Sequence, residues 1–261
     1  MRKTYRDKKP LDYWTDRWKK IQTDSMAEAD DCYPLLYANK AVTKNHRGQV
    51  LELGCGPGRL LRYYHMNCVD IVGVDFVDTV IHKLRATDAE LKVTYADARE
   101  LPFDDCRFSA VLCFGVFHCL EDDVSIAVSE AFRVLKPGGK LCAEFRADSI
   151  HNRLIDFYKG NGRTSNEFHK CNYHLKEARE ILVQGGFTIE QELPAINMPL
   201  FYHIPFLRHR SQVFYDEHVY RARGYQLRPW VERMQAIGFR LAPKQMSNLY
   251  IFICHKPCNS E

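Results

Sequence analysis

The chain has 261 residues, 46% hydrophobic and 27% charged, with a formal net charge of +4. That length suits one large domain, or one domain with a cap, and so mild a positive balance permits an anionic substrate without requiring nucleic acid. The charged start, Met1-Arg2-Lys3-Thr4-Tyr5-Arg6, argues against a secretory signal, and no apolar run approaches the ~18 residues of a membrane span. Ten cysteines without a Cys-x-x-Cys pair, several inside apolar runs, suit buried free thiols in a reducing cytoplasm better than disulfides or a metal site.

Residues 1–10 are basic and are expected to be loose, as termini often are. Leu11, Trp14, Trp18 and Ile21 then fall on one face at helical spacing, with Asp12, Asp16, Arg17 and Lys19 elsewhere. Around Leu35 to Val42 a second helical stretch leads to the first strand, and Tyr33 and Tyr37 could face a site there. The short apolar run Val50–Leu53 reads as a buried strand stopped by Gly54, Gly56 and Gly58, with an amphipathic helix from Arg59. A glycine turn between strand and helix lets a ligand approach the backbone, and the helix N-terminus offers unpaired N–H groups. A dinucleotide fingerprint would place its third glycine one residue later, so a dehydrogenase is disfavoured.

A second strand ends at Asp75, about 20 residues past the glycines, where a carboxylate can accept both hydroxyls of a ribose. A third strand, Leu91 to Tyr95, runs into Ala96-Asp97-Ala98, a strand-tip acid suited to an exocyclic amino group. Phe108 to Phe114 reads as a central strand followed by Gly115-Val116-Phe117-His118-Cys119. Val124, Ala127, Val128, Ala131, Phe132 and Leu135 make a helix face, with Asp122 or Asp123 as cap and Pro137-Gly138-Gly139 as stop. Lys140 to Phe145, Phe187 to Glu190 and Leu249 to Cys254 are further strands, and helices are expected from Leu175 and from Leu227. Strands alternating with helices predict an α/β fold with a parallel sheet that binds ligands at its carboxyl ends.

Five ordered pieces carry a resemblance: Glu52-Leu53-Gly54-Cys55-Gly56-Pro57-Gly58, Gly73-Val74-Asp75, Ala96-Asp97-Ala98, Leu101-Pro102-Phe103 and Leu135-Lys136-Pro137-Gly138-Gly139. Over residues 45–145 the chain resembles the class I S-adenosylmethionine-dependent methyltransferases, in their small-molecule methylase branch. The resemblance implies a Rossmann-like, mostly parallel seven-stranded sheet flanked by helices. It also implies an N-terminal helical lid (residues 1–45) and a methyltransferase domain (46–261), capped around 146–174 and 194–238 before the last strand. S-adenosylmethionine is the implied cofactor and S-adenosylhomocysteine the product. Tyr13, Glu52, Gly54, Cys55, Gly56, Gly58, Asp75, Phe76, Ala96, Asp97, Ala98 and Phe114 are the implied cofactor residues, with Tyr13 or Trp14 closing over it.

Methyl transfer to a neutral acceptor needs an in-line nucleophile and a route for its proton. His118 is the candidate base; the alternative is a histidine that bonds the loop or lines the pocket. His151, His169, His174 and His203 are unranked alternatives. Tyr33, Arg146, His174, Tyr202 and His203 are candidate acceptor-binding residues, and no metal is expected. The strand tip lacks the Pro-Pro-aromatic clamp of base amino-methylases and the Pro-Cys nucleophile of cytosine methylases. The arginine pairs at 208/210 and 221/223 read as a solvated face or as binders of phosphate or carboxylate. The expected activity is cytoplasmic methylation of a small acceptor, amphipathic or anionic, more at oxygen than nitrogen. An RNA methylase and a non-catalytic cofactor-binding regulator are the alternatives.

Overall fold

The computed structural model describes residues 1–21, 33–43, 46–158, 166–212 and 225–258. In chain order the strands are β1 (Arg2–Arg6), β2 (Val50–Leu53), β3 (Ile71–Asp75), β4 (Lys92–Tyr95), β5 (Phe108–Cys113), β6 (Leu135–Arg146), β7 (Glu167–Asn172), β8 (Thr188–Ala195) and β9 (Leu249–His255). The helices are α1 (Pro10–Lys20), α2 (Leu35–Ala38), α3 (Arg59–Met66), α4 (Asp78–Thr87), α5 (Val124–Val134), α6 (Ile150–Tyr158), α7 (Leu175–Gln184), α8 (Pro229–Leu241) and α9 (Pro243–Met246). A short 3-10 turn, Phe117–Cys119, follows β5.

Seven strands form one sheet in the order β4-β3-β2-β5-β6-β9-β8. Neighbours from β4 to β6 are parallel, and β9 runs antiparallel to both β6 and β8. The apolar runs are therefore strands buried on both faces, as a sheet flanked by helices requires. Leu51 and Leu53 join one hydrophobic cluster with Val111, Phe145 and Phe252, while Val50 joins the other with Leu112, Cys142 and Ile251. Strand alternation puts Glu52 on the Val50 face. In α5, Val124, Ala127, Val128 and Ala131 are buried, the face expected from their spacing.

The N-terminus departs from expectation. Residues 2–6 are not loose: β1 pairs antiparallel with β7, Arg2 opposite Asn172 and Thr4 opposite Lys170. Basic composition hid this strand. Thr4 is buried and donates its hydroxyl to the Lys170 carbonyl, while Arg2 reaches Asp148 at 3.0 Å and Asp156 at 2.8 Å. The helix expected over 35–42 is one turn, α2, continued by turns. The stretch 151–174, read only as polar and aromatic, holds nearly all of α6 and the whole of β7. Among the described residues no helix is long and apolar enough to cross a membrane.

Candidate active site

The site lies at the carboxyl ends of β2, β3, β5 and β6. Gly54, Gly56 and Gly58 all have positive φ (+66°, +49° and +81°), a conformation that side chains with a Cβ rarely adopt. Gly58 opens α3. Asp75 holds the loop from below: it accepts the Gly56 N–H at 2.9 Å and the Val77 N–H at 3.0 Å. Burial pushes its carboxyl up to about 6 despite these bonds. Glu52 is also buried; burial, with Asp75 adding repulsion, raises it well above the usual carboxylate range, and its Oε2 has no hydrogen-bond partner.

Aromatic side chains crowd the same loop. Trp14 and Trp18 of α1 stack at 5.2 Å, and both pack on the cluster that holds Cys55, together with Tyr33, Phe76 and Phe114. A Cβ at Gly56 would come within 3.1 Å of the Trp18 ring. Lys83 of α4 fixes that helix by donating to the carbonyls of Trp18 (2.7 Å) and Lys19 (2.8 Å) at its C-terminal end. Tyr13 turns the other way, under the Arg6 guanidinium. Cys55 is buried, its thiol raised by burial, and its N–H donates to Val74. Ala96 is buried and Ala98 half-buried beyond β4. Between them Asp97 accepts from the Arg99 side chain at 3.0 and 2.7 Å and from its N–H at 2.9 Å, which holds the acid below its usual range.

Across from the glycine loop is a buried polar cluster. His118, in the turn after β5, has its Nδ1 3.4 Å from Glu144 Oε1 on β6, without hydrogen-bond alignment. The Tyr33 hydroxyl donates to Glu144 Oε2, and the Tyr33 ring meets Phe114 edge-on at 5.9 Å. Burial pushes Glu144 up to about 7, with Lys170 and the Gly115 backbone pulling it back. Burial also drives His118 well below its ordinary value, reinforced by Lys170, Arg146 and His169. The pair is thus neutral below about pH 7, its proton on the carboxyl. Gly115, at φ +82°, has open space where its Cβ would stand.

The other acceptor candidates are scattered. Arg146 is bound by Asp156 at 2.8 and 3.1 Å and by Asn172. His174 is exposed at the start of α7, 3.5 Å from Asp148. Tyr202 lies in a separate small cluster with Leu207, Leu227 and Val231, and the His203 ring faces Tyr158 at 6.2 Å. His151 is buried against the Met246 carbonyl at 2.8 Å. Arg208 donates to the Tyr202 carbonyl at 2.7 Å and Arg210 is exposed, while Arg221 and Arg223 lie outside the described residues. Sequence reasoning passed over Glu144, Lys170 and Arg6. A lone acid inside Leu141–Phe145, an otherwise apolar strand, was the available signal for Glu144; Lys170 and Arg6 carried none.

Residues 51–143 match the family described as Methyltransferase domain. A Mycolicibacterium smegmatis protein described as a probable S-adenosylmethionine-dependent methyltransferase is 32% identical over 144 residues, 55% of this chain and 53% of that protein. The malonyl-[acyl-carrier protein] O-methyltransferase of Enterobacter lignolyticus is 32% identical over 39% of this chain and 41% of its own length. The chain thus spans about half the length of the curated relatives it matches, or less. Among solved structures, a methyltransferase in complex with the Haloferax volcanii Trm112 methyltransferase activator superposes with a TM-score of 0.61 at 16% identity, covering 97% of this chain and 100% of that one. A Methanosarcina mazei S-adenosylmethionine-dependent methyltransferase gives 0.58 at 17% identity, over 88% and 100%. Sheet order, glycine loop and the matched segment, residues 51–143, together support a class I S-adenosylmethionine-dependent methyltransferase domain in this chain.

Proposed function

We propose that this chain transfers a methyl group from S-adenosylmethionine to an oxygen of a small-molecule acceptor. The observation that carries the acceptor side of this reading is the buried Tyr33–Glu144–His118 cluster facing the glycine loop. The residues present fit the cofactor. Glu52 keeps a buried carboxylate oxygen without a partner, which suits an ammonium. Asp75 retains lone pairs for ribose hydroxyls beyond the two amides it already accepts. Phe76, Ala96, Asp97, Ala98 and Phe114 complete the proposed cofactor set, and Tyr33 is the proposed acceptor contact; Tyr13, Arg146, His174, Tyr202 and His203 are engaged elsewhere and leave these sets.

When bound, S-adenosylmethionine supplies an electrophilic methyl, so the protein must place the acceptor in line and take its proton. Once Glu144 is ionised, its carboxylate can hold the Nδ1–H tautomer of His118 and leave Nε2 to accept the acceptor's proton. The imidazolium so formed is stabilised by the same carboxylate. Because the proton rests on Glu144 below about pH 7, turnover rises with pH through that range.

His118→Asn tests the assignment, since asparagine bonds but takes no proton. We expect turnover, read as S-adenosylhomocysteine release, to drop ~10²–10⁴-fold with cofactor affinity almost unchanged. Near-native turnover with the native pH profile would instead mean transfer driven by proximity alone. RNA as the labelled product, with strongly salt-dependent binding, would favour the RNA reading. Cofactor binding without transfer to any acceptor fraction would favour the regulator.

A further inference from the structure

Beside the acceptor half of the site two cations, Lys170 and Arg6, have no ion-pair partner among the described residues. Pairing of β1 with β7 sets Thr4 opposite Lys170 and brings Arg6 to the same end of the molecule as α1. Lys170 is half-buried, and among the described residues no carboxylate lies within ion-pair distance of its ammonium. Its electrostatic neighbours are Cys119 and His118 from the turn after β5, Glu144 and Arg146 from β6, and Arg17 from α1. Arg6 lies over the Tyr13 ring at 3.4 Å, which engages one face of its plane, yet its Nε and Nη1 are buried without a hydrogen-bond partner. Cys119 and Arg17 lie within electrostatic reach of both Arg6 and Lys170.

Nearby charges make no ion pair with these two among the described residues, and that includes Glu167, which stands opposite Arg6 across the β1–β7 pair. Arg146 is spent on Asp156 and Asn172. Glu144, a carboxylate within electrostatic reach of Lys170, shares its oxygens with Tyr33 and His118 and is only partly ionised near neutrality. Buried N–H donors on a guanidinium cost free energy unless something accepts from them, and a carboxylate or phosphate fits that fork. Resting on the methyltransferase reading, we propose that the methyl acceptor carries an anionic group, carboxylate or phosphate, seated between Lys170 and Arg6 beside Cys119. The anion does two things there. It anchors the acceptor at the turn that carries His118, and its negative charge counters Lys170, strengthening His118 as a base when substrate is present.

The test is calorimetric titration of the full chain with benzoate, inorganic phosphate and neutral benzamide, each with and without S-adenosylmethionine. We expect an anion to bind and benzamide not to. Lys170→Gln and Arg6→Gln should each weaken the anion about tenfold or more while leaving S-adenosylmethionine affinity nearly unchanged. Benzoate, anionic throughout the titration, should weaken as pH rises through about 8, where Lys170 loses its proton; Lys170→Arg should keep the binding and lose that step. Binding of benzoate alone points to carboxylate acceptors and of phosphate alone to phosphorylated ones; both support the site. Lack of anion binding by the wild type, or equal affinity in both glutamine variants, overturns the proposal. Loss of S-adenosylmethionine binding in the wild type would overturn the methyltransferase reading instead, and the cofactor-free titration still decides the anion site.

Discussion

The two halves of the site are built on opposite terms. On the β2–β3 side, Glu52 and Asp75 are buried acids within a single βαβ unit, and a loop of three left-handed glycines lies over them. On the β6–β7 side the buried acids Glu144 and Asp156 meet the half-buried cations Arg6, Arg146 and Lys170, and Arg6, Tyr33, His118, Glu144 and Lys170 converge from remote parts of the chain. The first half is local and acidic, the charge that the ammonium of the proposed cofactor calls for. The second is assembled only by tertiary structure. Residues within one βαβ unit can be written in a short motif, while residues brought together by distant strands are dispersed along the chain.

The largest effect should come from attacking the first half at its backbone. Gly56→Val puts a side chain on a residue at φ +49° whose Cβ would already crowd Trp18 at 3.1 Å. We expect cofactor binding to be lost by calorimetry while thermal unfolding still reports a folded chain; undiminished affinity would break the division into halves. Next comes the second half. Glu144→Gln should lower turnover by ~10²-fold or more, because His118 loses the carboxylate that stabilises its protonated form. The same change should help the fold. The raised carboxyl means the native state holds a proton that the unfolded chain releases, so its contribution to stability declines as pH rises from the ordinary carboxylate range through about 7. Melting curves at pH 8 should therefore favour Glu144→Gln over the wild type, and the gap should narrow toward pH 4–5, within the ordinary carboxylate range.

Asp75→Ala is expected to act more gently. Loss of an acceptor for two hydroxyls costs on the order of 1–3 kcal/mol each where water cannot replace it, or about tenfold or more in S-adenosylmethionine affinity. Asp75 also holds the Gly56 and Val77 amides, so the variant should melt lower as well. Equal affinities would remove the ribose role. The smallest effect belongs to Lys83→Met. It removes the donors that fasten the end of α1 and seat Trp18 beside the glycine loop, a loss on the order of 1 kcal/mol and about fivefold in cofactor affinity by calorimetry.

The same division explains what could be read from the sequence. β2, β3, β5 and α5 were legible because their apolar periodicities are local and their stops are glycines or a proline. β1 was not, since a strand of Arg, Lys and Thr is held by its partner and by Asp148 and Asp156, both distant in sequence. His118 could be placed by its position after the central strand. Its carboxylate partner Glu144 and the cation Lys170 could not, because nothing in the intervening residues says that β6 and β7 meet there. For His174, a histidine in the cap looked like an acceptor contact, yet its local surroundings are those of a helix start: its N–H donates to Glu177 at 2.8 Å.

The position of β9 bears on how such a molecule comes to exist at all. It lies between β6 and β8, buried along nearly its whole length, although it comes after both in sequence. Until residues 249–255 arrive, β6 has an open edge of unpaired backbone, and β8 has no partner in the sheet. During synthesis, with chains growing at about 5–20 residues per second, the half-sheet β4-β3-β2-β5-β6 waits for its closing strand through everything from residue 147 onward. An open apolar edge invites pairing with another chain, so this interval is the time of greatest exposure to aggregation. Cutting the chain before residue 249 would extend that interval indefinitely. The penalty would fall on solubility before it was felt at the glycine loop.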